Sequence, residues 1–288
     1  MSETKMDPTM RCGVVRLVVG NLERSLGYYE QRIGLHLHRV EHGSAYLGAG
    51  DAVLLELVEQ PGALPVQRGR TGLYHFALLT PSREALSRVL NHLLETKTPI
   101  DGASDHGVSE ALYLSDPDGH GIEIYRDRPR REWPFAKGSL GMTSDPLDAR
   151  GLMAADRTKA PWAGIDPGTV MGHVHLHVAD LAVAEHFYVD LLGLDLMQHF
   201  GNQAAFVSAG GYHHHLGLNT WAGVGAPPPS TDAARLLSFE LIVPDAANLT
   251  GLVEQLRAGG VAVEATLDGW GAHDPSSNRV ILRQVAST

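Results

Sequence analysis

The chain has 288 residues, 43 % of them hydrophobic, enough for two ordinary domains with real cores. A formal net charge of −10 disfavours nonspecific binding to nucleic acid or anionic membranes, and one cysteine, Cys12, excludes an intramolecular disulfide framework or a thiolate metal cluster. The polar first eleven residues lack the apolar centre of a signal peptide, and no apolar run approaches 18 residues. A cytoplasmic setting without a membrane partner is therefore expected.

Residues 14–21 (VVRLVVGN) open with a β-branched run and close on Asn21, a good helix N-cap. A helix follows over residues 21–33, with Leu22, Leu26, Tyr29 and Ile33 on one face and Gly34 as its stop. Residues 75–82 (HFALLTPS) repeat the strand-to-cap pattern and lead to a helix over 82–96. Turns follow at Asp101-Gly102 and at 116–121 (DPDGHG). Residues 127–169 are rich in Arg, Pro, Gly and Asp without periodicity, which marks a linker or a functional loop. Residues 173–180 (HVHLHVAD) begin a third unit, with a helix over 180–192 ended by Gly193 and a turn at 209–211 (AGG). After a proline-rich break at 223–232, residues 238–245 (SFELIVPD) begin a fourth, whose helix over 245–258 runs into Gly259-Gly260. Each unit reads as one strand, one helix and three short strands.

The fold class is thus α+β, four βαβββ modules of about 50 residues, with halves at 1–130 and 165–288 joined by a linker at 131–164. In all four units the first strand residue precedes the cap by seven positions, so equivalent points can be compared. The first-strand column reads Val14, His75, His173 and Ser238; a column on the last strand reads Glu56, Glu123, Gly217 and Ile281. Two histidines and a glutamate at equivalent points suggest a metal site. Either histidine alone reads better as a satisfied core residue, but their coincidence in one column reverses that reading. Glu123 lies between Ile122 and Ile124, where an uncompensated carboxylate would carry a desolvation penalty of several kcal/mol or more. Glu56, among Leu54, Leu55 and Leu57, is expected to be hydrogen-bonded or at an exposed strand edge. His36, His38, His42 and His120 read as solvated.

Repeated βαβββ units with His on the first strand and Glu on the last resemble the vicinal oxygen chelate superfamily, which includes glyoxalase I, extradiol dioxygenases and antibiotic-resistance proteins. Residues 71–79 (TGLYHFALL), 106–129 (HGVSEALYLSDPDGHGIEIYRDRP), 171–181 (MGHVHLHVADL) and 208–223 (SAGGYHHHLGLNTWAG) are most similar to two-domain catechol 2,3-dioxygenases. The resemblance covers nearly the whole chain apart from the termini and the linker. It implies paired modules, each pair curling a sheet into a barrel around a site. Pairing modules one and two would gather Val14, Glu56, His75 and Glu123; three and four would leave only His173. Pairing two with three, and one with four, gathers His75, His173 and Glu123 and leaves the fourth position, Gly217, empty. That pairing is the expectation, although the extradiol arrangement the family implies takes its ligands from modules three and four. A 2-His-1-carboxylate face suits non-haem Fe(II), with Mn(II) as the alternative.

The resemblance further implies proton-handling groups beside the metal: Tyr113, ten residues before Glu123, His106, and one of the run His213, His214 and His215. The local match selects His214. Strand alternation argues otherwise, since His213 and His215 would share a face with Gly217. Phe206, Asn219 and Trp221 are candidate pocket walls. The expected activity is extradiol cleavage of a catechol-type diol with O2, in a protein for which a homo-oligomer is open. Two alternatives remain: a glyoxalase-like isomerase or lyase using His75, Glu123 and Glu56, and a small-molecule-binding protein without catalysis.

Overall fold

The computed structural model describes residues 4–136, 139–158, 160–267 and 269–285. The first repeat comprises β1 (Arg11–Val19), α1 (Leu22–Tyr28), β2 (His36–Glu41), β3 (Ser44–Ala49) and β4 (Ala52–Glu59). The second comprises β5 (Gly72–Leu79), α2 (Arg83–Glu95), β6 (Gly102–Asp105), β7 (Ser109–Ser115) and β8 (Gly121–Asp127). A short hairpin, β9 (Phe135–Ala136) with β10 (Ser139–Leu140), and α3 (Ala149–Met153) occupy the connection. The third repeat comprises β11 (Val170–His177), α4 (Leu181–Glu185), β12 (Asp195–Phe200), β13 (Ala204–Ser208) and β14 (Leu216–Asn219). The fourth comprises β15 (Arg235–Val243), α5 (Ala246–Ala258), β16 (Val263–Ala265), β17 (Trp270–His273) and β18 (Arg279–Gln284).

All four helix starts are made by the residues the sequence marks. Asn21, Ser82, Asp180 and Asp245 accept hydrogen bonds from the backbone N–H three positions on, satisfying one of the donors every helix start leaves open. The odd repeats differ from the even ones: α1 and α4 widen into π-helical turns at Tyr29–Ile33 and His186–Leu191. Gly34 and Gly193 then turn the chain at φ +84° and +70°, a region that side chains with a Cβ adopt at a cost.

The strands form two eight-stranded sheets, ordered β16-β17-β18-β15-β1-β4-β3-β2 and β12-β13-β14-β11-β5-β8-β7-β6. Repeats four and one therefore share one sheet, and repeats three and two share the other. Within a repeat the first and last strands run parallel; at each centre the two first strands, β1 with β15 and β5 with β11, run antiparallel. Each sheet takes one repeat from residues 1–130 and one from 165–288, so a single apolar core runs through both halves of the chain.

The proline- and arginine-rich connection lies against repeats two and three. Ser87 Oγ donates to Met153 O at 3.2 Å, Arg88 pairs with Asp166 at 2.8 Å, and Trp162 stacks on His92 at 4.1 Å between ring centres. Met142 N–H donates to Gln198 Oε1 at 2.7 Å, tying the connection to β12.

One histidine departs from its expected environment. His120 is buried, and its Nε2–H donates to Val18 O at 2.9 Å, joining the two sheets. The surrounding turn is built for this purpose: Asp116 accepts the N–H groups of Asp118 and His120 and the hydroxyl of Tyr29, while Asp118 pairs with Arg24. The equivalent turn in repeat four repeats the device with Asp274 and Tyr188 at 2.9 Å. A polar loop sequence thus concealed a buried inter-sheet clasp.

Candidate metal centre

At the middle of the second sheet, β5, β8 and β11 lie side by side, with Ala77 opposite both Glu123 and His173 and His75 opposite His175. Three side chains from this junction converge. His75 Nε2 is 3.0 Å and His173 Nε2 is 3.2 Å from Glu123 Oε2, and the two imidazole nitrogens are 3.4 Å apart. All three residues are buried. Neighbouring donors held about 2.1 Å from one ion lie roughly 3 Å apart, so this donor set fits a divalent metal.

The electrostatics suit the same use. Burial pulls His173 down to about 4, against the opposing pull of Glu123, which leaves its imidazole neutral and able to coordinate at pH 7. Burial works against charge on Glu123 too, but His173 and His75 outweigh it and hold the carboxyl well below the usual carboxylate range.

A cavity of about 230 Å³ opens beside the triad. It is smaller than the roughly 300–1,000 Å³ common for drug-sized ligands, which suits a single-ring molecule. Of the sequence candidates, His106, Tyr113, His214, Phe206 and Trp221 line it. Tyr113 stands opposite Glu123 in the β7–β8 register, and its hydroxyl is 2.6 Å from His106 Nε2. His106 Nδ1 faces the carbonyl of Thr143 at 2.6 Å and so must donate, which leaves Nε2 to accept from Tyr113 in the neutral ring. Burial, followed by the nearby Glu123, raises Tyr113 well above the ordinary phenol value.

His213, His214 and His215 precede β14 in irregular backbone and are not part of a strand. The alternation argument therefore does not apply to them. His214 faces the cavity with its ring 4.1 Å from that of His173 and 4.8 Å from Phe206. Burial, then the neighbouring imidazoles, pull it well below the usual histidine value. His213 lies behind it, with Nδ1 2.7 Å from His214 Nδ1 and Nε2 2.9 Å from Asp127 Oδ1. His215 turns away to Ser208 Oγ, 2.9 Å from its Nδ1. Asn219 is buried away from the cavity, with Oδ1 2.7 Å from His177 Nδ1 and accepting from Trp221 N–H. Among the pocket candidates, then, only Phe206 and Trp221 are brought to the cavity.

Glu56 is not brought to the triad. It lies on β4 in the other sheet, where Arg16 Nε donates to Oε2 at 2.6 Å. A ligand set of His75, Glu123 and Glu56 is therefore excluded by the strand order.

The sequence reading missed His175, Tyr74, Phe200 and the stretch from Met142 to Ser144, all on the cavity wall. His175 carried a readable signal, since alternation along HVHLH puts it on the face of His173. It stands opposite Gly217, the empty ligand position, and a Cβ there would lie 2.6 Å from the imidazole ring. Gly217 is what gives His175 its place. The segment from Met142 to Ser144 carried no periodic signal, because it belongs to an irregular connection.

Comparison with known proteins agrees with this architecture. The Glyoxalase/Bleomycin resistance protein/Dioxygenase superfamily profile matches residues 11–124 and 170–275, and the chain belongs to that superfamily. It is 42 % identical over 284 residues to a catechol-2,3-dioxygenase of Bacillus subtilis (strain 168), covering 96 % of this chain and 98 % of the relative. It is also 31 % identical over 139 residues to the glutathione transferase FosA of Serratia marcescens, 45 % of this chain and 92 % of that protein. Among solved structures it shares its fold with a putative dioxygenase from Bacillus subtilis (TM-score 0.64, 13 % identity, 96 % of this chain and 86 % of that one). The fold is also that of a glyoxalase I variant from Zea mays (TM-score 0.59, 16 % identity, 96 % and 94 %).

Proposed function

We propose that the cavity takes a catechol-type aromatic diol and that the protein opens its ring beside the diol with O2, at a metal held by His75, His173 and Glu123. The observation that carries this reading is the convergence of the buried triad with the His106–Tyr113 pair on one side of a small cavity and His214 on the other. The full-length relationship to a protein named as a catechol-2,3-dioxygenase supports extradiol chemistry and a non-haem metal. Fe(II), with Mn(II) as the alternative, suits two imidazoles, one carboxylate and open positions. Such an ion supplies Lewis acidity for the diol and an electron path between the diol and O2.

The chain's own groups account for the proton traffic. Tyr113 and His106 form a hydrogen-bonded pair that can hold a proton released by a diol hydroxyl. His214 stands on the opposite wall as a second acid/base group. Tyr74, Phe200, Phe206 and Trp221 provide an aromatic wall against which the ring of a diol can pack. Both atoms of O2 end in the ring-opened product, a semialdehyde when the ring opens beside the diol.

An oxygen electrode tests the reading. Fe(II)-loaded protein with catechol or a substituted catechol is expected to take up O2 and diol in equal amounts and form a yellow product, and a chelator should stop both. An isomerase would depend on metal but consume no O2; a sequestering protein would show neither. Metal-loaded protein that takes up no O2 across a broad panel of catechols and hydroquinones, yet isomerises a thiol adduct, overturns the proposal.

A further inference from the structure

The side chains behind His214 form a line that the ring-opening reading does not require. Asp127, the last residue of β8, has Oδ1 2.9 Å from His213 Nε2, and His213 Nδ1 is 2.7 Å from His214 Nδ1. His213 is fully buried, and His214 is held between it, His173 and Phe206. No other hydrogen bond to either ring is found among the described residues, so Nε2 of His214 is left for whatever occupies the cavity.

With Asp127 as a carboxylate, hydrogen-bond polarity along this line has two self-consistent settings. In the first, the carboxylate accepts from His213 Nε2–H, the neutral ring of His213 accepts at Nδ1 from His214 Nδ1–H, and His214 Nε2 carries a lone pair. In the second, His213 is an imidazolium that donates at both ends, and His214 presents Nε2–H. Both settings make the same two hydrogen bonds, but the second buries a cation in a cluster of imidazoles. Removing such a charge from water costs several kcal/mol, and the one added gain is attraction to Asp127, which is a quarter exposed and so partly screened. The first setting is favoured.

We infer that Asp127 and His213 are positioning residues that fix the tautomer of His214, so that it meets the bound diol and O2 with a bare Nε2 and enters the reaction as a proton acceptor. The logic is that of a carboxylate orienting an imidazole in a hydrolase triad, lengthened by one ring. In balance, a diol O–H bond breaks, an Nε2–H bond forms on His214, and the electron pair stays on the diol oxygen. The same N–H can later return its proton to a product oxygen. The inference rests on the cavity being the reaction site, but its first test does not.

That test is ¹⁵N imidazole spectroscopy of the full chain loaded with diamagnetic Zn(II), with His213→Gln and His214→Gln used for assignment. His214 is expected to carry its proton on Nδ1 and His213 on Nε2. An Nε2–H signal for His214, or an imidazolium at His213, overturns the inference whether or not the protein consumes O2. In the Fe(II) enzyme, Asp127→Ala is expected to lower kcat by ~10²-fold, the lower range for an acid/base group. Metal content and anaerobic affinity for 4-nitrocatechol should be unchanged, and Asp127→Glu should recover part of the loss. An Asp127→Ala enzyme with normal kcat also overturns the inference. Wild-type protein with the expected tautomers that consumes no O2 with any diol would instead sink the ring-opening reading and leave the tautomer assignment standing.

Discussion

The two sheets solve the same electrostatic problem in opposite ways. Each has a glutamate near its centre, Glu56 in one and Glu123 in the other, at equivalent points of the repeat. Around Glu123 the first-strand positions hold His75 and His173; around Glu56 they hold Val14 and Ser238. Two residues further along the first strands stand Ala77 and His175 in one sheet, Arg16 and Glu240 in the other. Arg16 binds Glu56 at 2.6 Å and Glu240 at 3.1 Å, and Arg283 meets Glu240 at 3.2 Å. Guanidinium groups neutralise the buried carboxylates in that sheet, leaving them no role as ligands. In the other, imidazoles stand where guanidinium groups would, leaving the Glu123 carboxylate available to an ion. A buried carboxylate needs compensation in either case, and the kind of compensation separates a structural sheet from a site.

The comparison breaks first at the triad. His173→Ala and Glu123→Ala are each expected to abolish metal binding, while Glu56→Ala keeps it, as metal content by plasma emission will read. Retention by His173→Ala with loss by Glu56→Ala would reverse the roles of the two sheets.

Acid acts on the histidine-rich sheet selectively. Burial lowers His173 and His215 from 6.5 to about 4. Above pH 6.5 both rings are neutral folded or unfolded and contribute nothing. Below it the unfolded chain takes up protons that the folded rings refuse. Stability of the metal-free protein therefore falls as pH drops from 6.5 towards 4, by up to about 1.4 kcal/mol per pH unit for each ring. Urea midpoints across that range should decline steadily, and a flat profile would contradict the buried neutral state.

The ion-pair sheet should respond to Glu240→Ala. Glu240 is fully buried, and its loss removes the carboxylate that Arg283 meets, while Arg16 keeps Glu56. Breaking a buried pair costs about 3–5 kcal/mol, and the lower end applies because Arg283 reaches solvent. Metal content should not change; a loss of metal would mean that the sheets are coupled more tightly than their separate strand sets imply.

Much of this contrast was legible in the sequence because it rests on short periods. The cap-to-strand spacing defines the repeats, and the columns then collect His75, His173 and Glu123 without three-dimensional information. Alternation also reaches His175, although it was not read that way. Irregular backbone was harder. The facing of His213, His214 and His215 depends on a loop geometry with no period, and the pairing of His213 with Asp127 joins residues 86 positions apart. The segment from Met142 to Ser144 lies in a connection whose composition suggests only a linker. His120 looked solvated because a DPDGHG turn is polar, yet its ring meets the buried carbonyl of Val18 in repeat one and its backbone N–H the Asp116 carboxylate of its own turn.

The smallest expected effect lies at the column position where the sheets differ most simply, Ile281 in one and Gly217 in the other. Ile281 is buried and fills its place with a side chain of its own. At Gly217 the place belongs to His175, whose ring packs against His75 at 5.0 Å, Tyr74 at 5.1 Å and Trp221 at 5.3 Å between centres. A methyl group at 217 would meet that ring at 2.6 Å, so the ring or the strand must move. Overpacking of this kind costs about 1–3 kcal/mol. Gly217→Ala should therefore lower the urea midpoint modestly and weaken anaerobic 4-nitrocatechol binding, because the displaced ring lines the cavity. His175→Ala removes the obstacle, so adding Gly217→Ala to it should cause little further loss. Equal penalties for Gly217→Ala in the wild-type and His175→Ala backgrounds would show that glycine is needed there by the strand itself and not by the histidine.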